Sequence, residues 1–188
     1  MEAYTGFAPV YDTYMDNIPY DEWANNIKQL FEKYNMPMEI VCELGCGTGQ
    51  ITRRLKSQGY DMIGIDVSYD MLMEAMAHED SDGILYLCQD MRSFELYGTV
   101  GAVVSVCDSI NYLQNQDELL TVCKLVNNYL DPKGLFVFDV KTKHYSILSQ
   151  RYEYFKTMAN MLQAINKDSL ELSINHQGYW WSDIQMEE

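Results

Sequence analysis

Short apolar runs alternate with longer amphipathic stretches along most of this chain. Five short runs predict strands, at Glu39–Cys42, Met62–Ile65, Ile84–Cys88, Ala102–Val106 and Leu135–Val140. Four stretches carry apolar residues at helical spacing and predict helices, at Asp21–Tyr34, Gln50–Gln58, Tyr69–Ala77 and Asp117–Tyr129. The run Ala102–Val106 is apolar throughout, as a parallel strand buried on both faces is. Strands that alternate with helices indicate an α/β fold with a mostly parallel sheet.

Local signals mark the ends of several of these elements. Gly59 predicts the end of the helix before it. Ser68 can cap the helix that follows it, and we predict that the inward face of that helix is Met71, Leu72, Ala75 and Met76. Asp131–Gly134 predicts a tight turn, in which the proline ends a helix and Gly134 supplies the unusual backbone angle.

The C-terminal part of the chain has a different pattern. Tyr145–Ile165 can form a helix, although its apolar stripe is poor. Leu170–Ile174 and Tyr179–Ile184 alternate with period two on either side of Asn175–Gly178, which predicts a β-hairpin. The parallel pattern of the earlier strands therefore gives way to an antiparallel one.

The segment Glu43–Gly49, with the sequence E-L-G-C-G-T-G, lies between the first predicted strand and a predicted helix. In such a strand–turn–helix arrangement, free backbone N–H groups at the start of the helix point at a ligand. Asp66 ends the second apolar run, where an acid can accept hydrogen bonds from both hydroxyls of a ribose. The two features together indicate a nucleoside-binding site.

The glycine spacing and the charge of this segment narrow down the nucleoside. A dinucleotide fingerprint reads G-x-G-x-x-G, and Gln50 stands where its third glycine belongs. A P-loop needs a Gly-Lys-Ser/Thr sequence, which the turn lacks. No cation lies in the turn to meet a pyrophosphate, and Glu43 would repel one. The acid instead suits a ligand that carries an ammonium and a sulfonium group.

Glu43–Gly49 resembles the first motif of class I S-adenosylmethionine-dependent methyltransferases, E/D-x-G-x-G-x-G. The resemblance covers roughly residues 4–143 and implies a Rossmann-like, doubly wound, mostly parallel sheet with helices on both faces. Asp66 would then hold the ribose, and it begins a sequence similar to the family's D-x-S-x-x-M-L, whose residues rest on the adenine. Asp90 resembles the family's acceptor for the exocyclic amine, and Met91 the residue that packs on the ring.

Two further segments resemble parts of the same family. Phe7–Asp12 is similar to the F-A-x-x-Y-D opening of small-molecule methyltransferases, which forms a lid over cofactor and acceptor. Tyr11 would touch the methionine end of the cofactor there; the alternative is that these rings only pack an N-terminal helix onto the sheet. Cys107–Leu113 resembles the fourth motif and its extension, D-S-[IL]-N-Y-L, which would face the transferred methyl group.

The resemblance implies a set of site residues. The expected cofactor contacts are Tyr11, Glu43, Gly45, Cys46, Gly47, Gly49, Asp66, Val67, Met71, Asp90, Met91 and Cys107. The expected acceptor contacts are Tyr4, Asn111 and Tyr112. A general base is needed only if the acceptor is protonated at working pH, and the candidates are Asp108, Tyr112 and His144. We expect no metal in the site.

Chain length indicates a single domain, because 188 residues are enough for one sizeable core and too few for two ordinary ones. We divide this domain, 1–188, into an N-terminal lid and helix (1–34), a core (35–143) and a C-terminal helix and hairpin (144–188). In the family two further strands complete the sheet. The hairpin is either that pair in reduced form or part of a lid over the acceptor, in which case the chain lacks its usual end.

Composition and charge restrict the partners. The formal net charge is -15, which repels phosphate backbones, so we expect a small-molecule acceptor rather than a nucleic acid. Five cysteines without a C-x-x-C pair argue against disulfides and zinc, and we expect those in strands to be core residues. The sequence shows no basic–apolar leader and no membrane-spanning run, so we expect a cytoplasmic protein without membrane contact. A monomer and a homodimer are both compatible with the sequence.

Two other functions stay open at this point. A nicotinamide-dependent oxidoreductase would share the strand–turn–helix arrangement, although Gln50 in place of the third glycine argues against it. A non-catalytic protein that binds S-adenosylmethionine as a sensor or scaffold is compatible with the indistinct C-terminal third. The leading hypothesis is methyl transfer from S-adenosylmethionine to a small molecule.

Overall fold

The structure is a computed structural model that describes residues 8–15, 18–36, 39–141, 170–174 and 179–185. Residue contacts divide the chain into two compact units, Met1–Met91 and Arg92–Glu188. Within the described ranges, no helix combines the length and the apolarity that crossing a membrane requires. The predicted helix Tyr145–Ile165 and the candidate residues Tyr4 and His144 lie outside the described residues.

The first unit is built from βαβ segments. Its helices are α1 (Ala8–Tyr14), α2 (Tyr20–Lys33), α3 (Gln50–Ser57) and α4 (Tyr69–Ala77), with a short 3₁₀ helix at Glu79–Ser81. Its strands are β1 (Ile40–Leu44), β2 (Asp61–Asp66) and β3 (Leu85–Cys88). Both β1 and β3 pair with β2 in parallel, so β2 lies between them. The predicted alternation of parallel strands and helices is confirmed here.

The apolar faces of the helices form the core of this unit. The buried residues of α2 are Trp23, Ala24, Ile27 and Phe31, which confirms the predicted helical stripe. Phe31 packs edge-on against Tyr60, with the ring centroids 5.1 Å apart. The predicted cap of α4 is also present, because the Met71 N–H donates to Ser68 Oγ at 3.4 Å. Capping and apolar spacing therefore position both helices as the sequence indicated.

Two predictions about burial in this unit are wrong. Met76 was expected to face inward, but it is 47% exposed. At 100° per residue it lies about 90° from the centre of the buried face of α4, which consists of Met71, Leu72 and Ala75. Cys88 was expected in the core as a strand residue, but it is exposed. Its strand, β3, pairs only with β2 among the described strands of this unit and is at most half-buried, whereas Cys42 in β1 is buried.

The second unit contains the remaining described elements. They are β4 (Val100–Ser105), a 3₁₀ helix at Ser109–Tyr112, α5 (Gln116–Tyr129), β5 (Leu130–Lys141), β6 (Leu170–Ile174) and β7 (Tyr179–Gln185). β4 is buried at every residue and pairs in parallel with β5, as its continuous apolar run predicted. β7 is antiparallel to both β5 and β6. Residues 175–178, which would turn the predicted hairpin, lie outside the described residues, so the hairpin and its two alternative roles stay predictions.

The segment between α5 and β5 differs from its prediction. Asp131–Gly134 was expected to be a turn with the unusual backbone angle at Gly134, but the positive φ, 67°, belongs to Lys133. Gly134 is required for space instead. A Cβ there would lie 2.9 Å from the Asp131 carbonyl oxygen and 3.0 Å from that of Gly101, so any side chain would press on the backbone.

Candidate functional site

The turn between β1 and α3 is held by three glycines with left-handed backbones. Gly45, Gly47 and Gly49 have φ values of 75°, 53° and 75°. Residues with a Cβ rarely adopt this conformation, so the G-x-G-x-G spacing matches three positions where the backbone requires glycine. The Gly49 N–H donates to the Cys46 carbonyl at 2.8 Å and closes the turn just before α3 begins. We call residues 45–49 the glycine turn.

The N–H groups of the glycine turn are used inside the protein. Those of Gly45 and Cys46 both donate to the Ile65 carbonyl oxygen in β2, at 2.8 and 3.0 Å. That of Gly47 donates to Asp66 Oδ2 at 2.8 Å. The prediction that the N–H groups of this turn point at a ligand is therefore wrong for these three, because the left-handed backbone directs them toward β2. A turn with its donors engaged in this way has little to offer a pyrophosphate.

The space around the glycines differs from one to the next. A Cβ added to Gly47 would have no atom within 4 Å, so the turn is open at this position. A Cβ added to Gly49 would lie 2.5 Å from the Tyr86 hydroxyl, 3.1 Å from Arg53 Nη1 and 3.3 Å from Ala75 Cβ. Gly47 thus borders free space where a ligand could approach the backbone. Gly49, in contrast, is closely packed by the side chains of Tyr86, Arg53 and Ala75.

We expect the Gly49→Ala substitution to destabilise the fold by about 2–5 kcal/mol. The left-handed backbone costs about 1–2 kcal/mol and the overpacking about 1–3 kcal/mol. The free energy of unfolding in urea measures the effect. A second substitution, Tyr86→Phe, removes the nearest atom and should recover part of the loss. Equal stability of Gly49→Ala and wild type would contradict the packing described here.

Asp66 connects β2, the glycine turn and α4. Its Oδ2 accepts the Gly47 N–H, and its Oδ1 accepts the Ser68 N–H at 2.8 Å. Its carbonyl oxygen accepts the Gln89 N–H at 3.0 Å, just after β3. Burial raises the pKa of the carboxyl, and backbone N–H donors of Ser68, Gly47 and Val67 partly offset that rise. The half-buried carboxylate is thus fixed in orientation at the carboxyl end of β2, as a ribose-binding acid requires.

Glu43, in β1, is the most deeply buried acid of the predicted set. It is 3% exposed, and its Oε2 accepts a hydrogen bond from the hydroxyl of Thr52 in α3. Burial raises the pKa of this carboxyl to about 8. The side chain therefore joins β1 to α3 beneath the glycine turn, and sequence spacing gave no indication of the Thr52 contact.

We expect Glu43 to make the stability of the protein fall as the pH rises. Its folded pKa, about 8, lies above the ordinary glutamate value of 4.5, so between these values the folded state holds a proton that the unfolded state releases. This contribution is complete below pH 4.5 and is lost toward pH 8, by roughly tenfold in the folding equilibrium constant per pH unit. Urea unfolding of wild type and Glu43→Gln at several pH values measures this contribution. As the pH rises, the free energy of unfolding of Glu43→Gln should increase relative to that of wild type. Parallel profiles, like those expected for the exposed Glu39→Gln control, would refute the assignment.

The residues expected around the adenine have different exposures. Val67, next to Asp66, is 63% exposed, whereas Met71 is 3% exposed inside α4. Asp90 and Met91, after β3, are half-buried. Within the first unit, the structure thus leaves Val67 accessible beside Asp66 and places Met71 in the core.

Cys46 lies within the glycine turn but is 6% exposed. Burial raises the pKa of its thiol well above the usual value, and the nearby carboxylates Glu43 and Asp66 raise it further. Since the thiolate is the reactive form, this cysteine is a packed side chain rather than a nucleophile.

Arg53 is a site residue that the sequence did not single out. It is 5% exposed in α3, although arginine is seldom buried. Its Nη1 donates to the Thr48 carbonyl oxygen at 2.5 Å, and its Nε lies 2.9 Å from Asp80 Oδ1. The guanidinium therefore supports the glycine turn from below. This role depends on the contact with Asp80, which is distant in sequence, and the apolar spacing of α3 did not predict it.

In the second unit, the loop after β4 has an unusual backbone. Cys107 and Asp108 have φ values of 58° and 67°, which is uncommon for two successive residues with side chains. The Asp108 N–H lies 3.1 and 3.3 Å from the two carboxylate oxygens of Asp139 in β5. Asn111 Nδ2 donates to Asp108 Oδ1 at 3.1 Å, and Tyr112 is 61% exposed. The structure thus brings Asp108 and Asn111 together.

Asp139 was missed by the sequence analysis. It is fully buried near the end of β5. The sequence signal that could have identified it is an acid within an otherwise apolar strand, because acids are seldom buried. By accepting the Asp108 N–H it supports the left-handed backbone of the loop, a conformation that clusters at functional sites.

Comparison with known proteins decides the family. Residues 41–134, half of the chain, match the model of a methyltransferase domain. The chain belongs to the class I S-adenosylmethionine-dependent methyltransferases. The matched residues include the glycine turn, Asp66 and the loop after β4, whereas α1 and Tyr11 precede them.

Two curated relatives illustrate how far the likeness of this methyltransferase domain extends. YqeM of Bacillus subtilis (strain 168), which carries the name of a methyltransferase, is 40% identical over 139 residues, or 73% of this chain and 55% of YqeM. The dTDP-3-amino-3,4,6-trideoxy-alpha-D-glucopyranose N,N-dimethyltransferase of Streptomyces venezuelae is 29% identical over 116 residues, or 62% of this chain and 48% of the relative. The chain spans about half the length of the curated relatives it matches.

A solved structure supports the fold. An S-adenosyl-L-methionine-dependent methyltransferase of Methanococcus maripaludis superimposes with a TM-score of 0.78 at 15% identity, covering 97% of this chain and 93% of that protein. The methyltransferase domain thus has the Rossmann-like, mostly parallel α/β fold implied by its first motif.

Proposed function

We propose that this chain binds S-adenosylmethionine on the glycine turn and transfers its methyl group to a small-molecule acceptor. The observation that carries the proposal is the combination of three left-handed glycines, open space at Gly47 and the oriented carboxylate of Asp66 beside them. Family membership supports the reaction class. The missing third glycine and the N–H groups engaged within the protein argue against a dinucleotide.

The residues of the first unit fit this cofactor. Gly47 borders open space, so the methionine moiety can approach the backbone there without meeting a side chain. Asp66 offers an oriented carboxylate for the ribose hydroxyls, and the exposed side chain of Val67 offers an apolar surface for the adenine. We propose Tyr11, Glu43, Asp90 and Met91 as further contacts on the strength of the motif resemblance alone.

Bound S-adenosylmethionine supplies a methyl group on a sulfonium, which is transferred by an in-line displacement. The protein's task is then to position the acceptor atom, and effective molarities of about 10^5–10^8 M show how much of the acceleration positioning can provide. We propose Asn111 and Tyr112 for contacts with the acceptor, because both belong to the loop that Asp139 supports. Asp108 is the best-placed base for a protonated acceptor, since its carboxylate is oriented by Asn111.

Two observations support a small-molecule acceptor. The Streptomyces venezuelae relative is named for an amino-sugar nucleotide. The net charge of -15 opposes binding to nucleic acid.

Turnover of S-adenosylmethionine labelled in its methyl group, with a panel of amino sugars, other amines and carboxylic acids, tests the proposal. We expect label in at least one low-molecular-weight product, with an intact pool of labelled cofactor in the absence of acceptor. Label found only in added RNA or protein would overturn the small-molecule assignment. Tight cofactor binding with no labelled product from any acceptor class would instead favour the non-catalytic binding protein.

A further inference from the structure

We propose that Asp12 and Gln50 are positioning residues, whose hydrogen bond docks α1 on the glycine turn and so holds the neighbouring Tyr11 for the cofactor. The inference rests on the proposed function, because it gives the docking of α1 a role in cofactor binding. It also assigns a role to Gln50, the residue that departs from the dinucleotide fingerprint: its side chain holds Asp12.

The contacts of Asp12 lie on both sides of Gly49. Its Oδ1 accepts the hydroxyl proton of Thr48 at 2.6 Å, and its Oδ2 accepts from Gln50 Nε2 at 2.7 Å. Thr48 is 2% exposed, so this hydroxyl sits within the packed part of the turn. The Asp12 carboxylate of α1 therefore accepts hydrogen bonds from Thr48, in the glycine turn, and from Gln50, the first residue of α3.

The orientation of the Gln50 amide is fixed from its other side. Gln50 Oε1 accepts from Arg54 Nη1 at 2.7 Å, and the same Nη1 donates to the Gln50 carbonyl oxygen at 2.9 Å. Arg54 Nε in turn lies 2.6 Å from Asp21 Oδ1 in α2. Because the amide oxygen faces a guanidinium, the amide nitrogen must face Asp12. Both N-terminal helices are thus connected through α3 to the glycine turn.

Helix α1 depends on such contacts. It has seven residues, and a helix of that length is not stable by itself in water. Its Ala8 is 3% exposed, and it also packs against α4. Hydrogen bonds accepted by a carboxylate are among the stronger polar contacts available to it. Loss of the Asp12 contacts should therefore undock α1 while the parallel strands and the other helices stay folded.

Reversing the polarity of the pair tests the proposal. Asp12→Asn leaves one oxygen for two donors, the Thr48 hydroxyl and Gln50 Nε2, so one of them loses its acceptor. Gln50→Glu alone places two carboxylates together. The double variant Asp12→Asn/Gln50→Glu restores a donor opposite an acceptor, keeps an oxygen for the Thr48 hydroxyl and keeps the acceptor for Arg54. Thr13→Ala, on an exposed position of the same helix, is the control.

Two readouts on the full chain separate the docking from the cofactor. In hydrogen–deuterium exchange without ligand, we expect the amides of α1 to exchange about tenfold faster in each single variant, with α5 unchanged. The double variant should return to within about threefold of wild type. Calorimetric affinity for S-adenosylhomocysteine should follow the same order, with the midpoint of thermal unfolding unchanged throughout.

The outcomes are distinct. Unchanged α1 exchange in the single variants, or a double variant that exchanges as fast as they do, overturns the docking. Normal S-adenosylhomocysteine affinity in the single variants, despite fast α1 exchange, overturns the positioning role and leaves the proposed function standing. Restored α1 protection in a protein that binds no S-adenosylhomocysteine even as wild type supports the docking and overturns the proposed function.

Discussion

Replacing Gly47 by valine is expected to abolish binding of S-adenosylhomocysteine in a protein that still folds. The valine side chain would point into open space, because no atom lies within 4 Å of an added Cβ, so the protein itself offers no clash. That open space is where we propose that the cofactor approaches the backbone. The left-handed φ of 53° costs a residue with a Cβ about 1–2 kcal/mol, which a folded domain tolerates. Calorimetry should therefore show at least a hundredfold loss of affinity, beyond 2.7 kcal/mol.

A matched control for this variant is Gly83→Val. Gly83 has a φ of 76°, so it carries the same backbone cost, but the atoms near its added Cβ belong to the flexible end of the Lys56 side chain. It should lose similar stability and no affinity. If Gly47→Val is folded and binds the ligand as wild type does, the cofactor lies elsewhere.

Replacing Asp66 by alanine is the second substitution with a large expected effect. It should weaken S-adenosylhomocysteine binding by about 1.5–3 kcal/mol, the range for hydrogen bonds to a charged group, or roughly 10- to 150-fold. It should also lower the free energy of unfolding, because the N–H groups of Gly47 and Ser68 lose their acceptor. Calorimetry gives the first quantity and urea unfolding the second.

Asp66→Asn separates the two effects. Asparagine keeps one oxygen for one of the two N–H groups, so the stability loss should be smaller than in the alanine variant. It removes the negative charge that strengthens the hydrogen bonds of the ribose, so most of the affinity loss should remain. Wild-type affinity in a folded Asp66→Ala variant would show that this carboxylate does not hold the ribose.

Local patterns predicted what local forces decide. The helical stripe of α2, the Ser68 cap of α4 and the parallel strands follow from apolar spacing and capping chemistry, and the structure has them. The three glycines were found because a left-handed backbone favours glycine, although Cys107, Asp108 and Lys133 adopt one with a side chain. The absence of Lys and Arg from the glycine turn, and the presence of Glu43 before it, were likewise visible in the sequence alone.

Contacts between distant residues could not be predicted in this way. Asp12 meets Gln50 across 38 positions, and Asp139 meets Asp108 across 31. The N–H groups of the glycine turn were expected to face a ligand, but the Ile65 carbonyl competes for two of them. Gly134 shows the same limit, because the carbonyl oxygen of Gly101, in β4, is one of the two that leave no room for a side chain there. Each of these outcomes depends on a neighbour that only the fold supplies.

Calorimetric titration of the wild-type chain with S-adenosylhomocysteine, repeated with NAD⁺ and then with Gly47→Val, tests the central claim most directly. We predict one S-adenosylhomocysteine per chain, no heat from NAD⁺, and loss of the S-adenosylhomocysteine signal in the folded variant. Binding of NAD⁺ instead, or S-adenosylhomocysteine binding that is indifferent to a side chain at residue 47, would contradict the account.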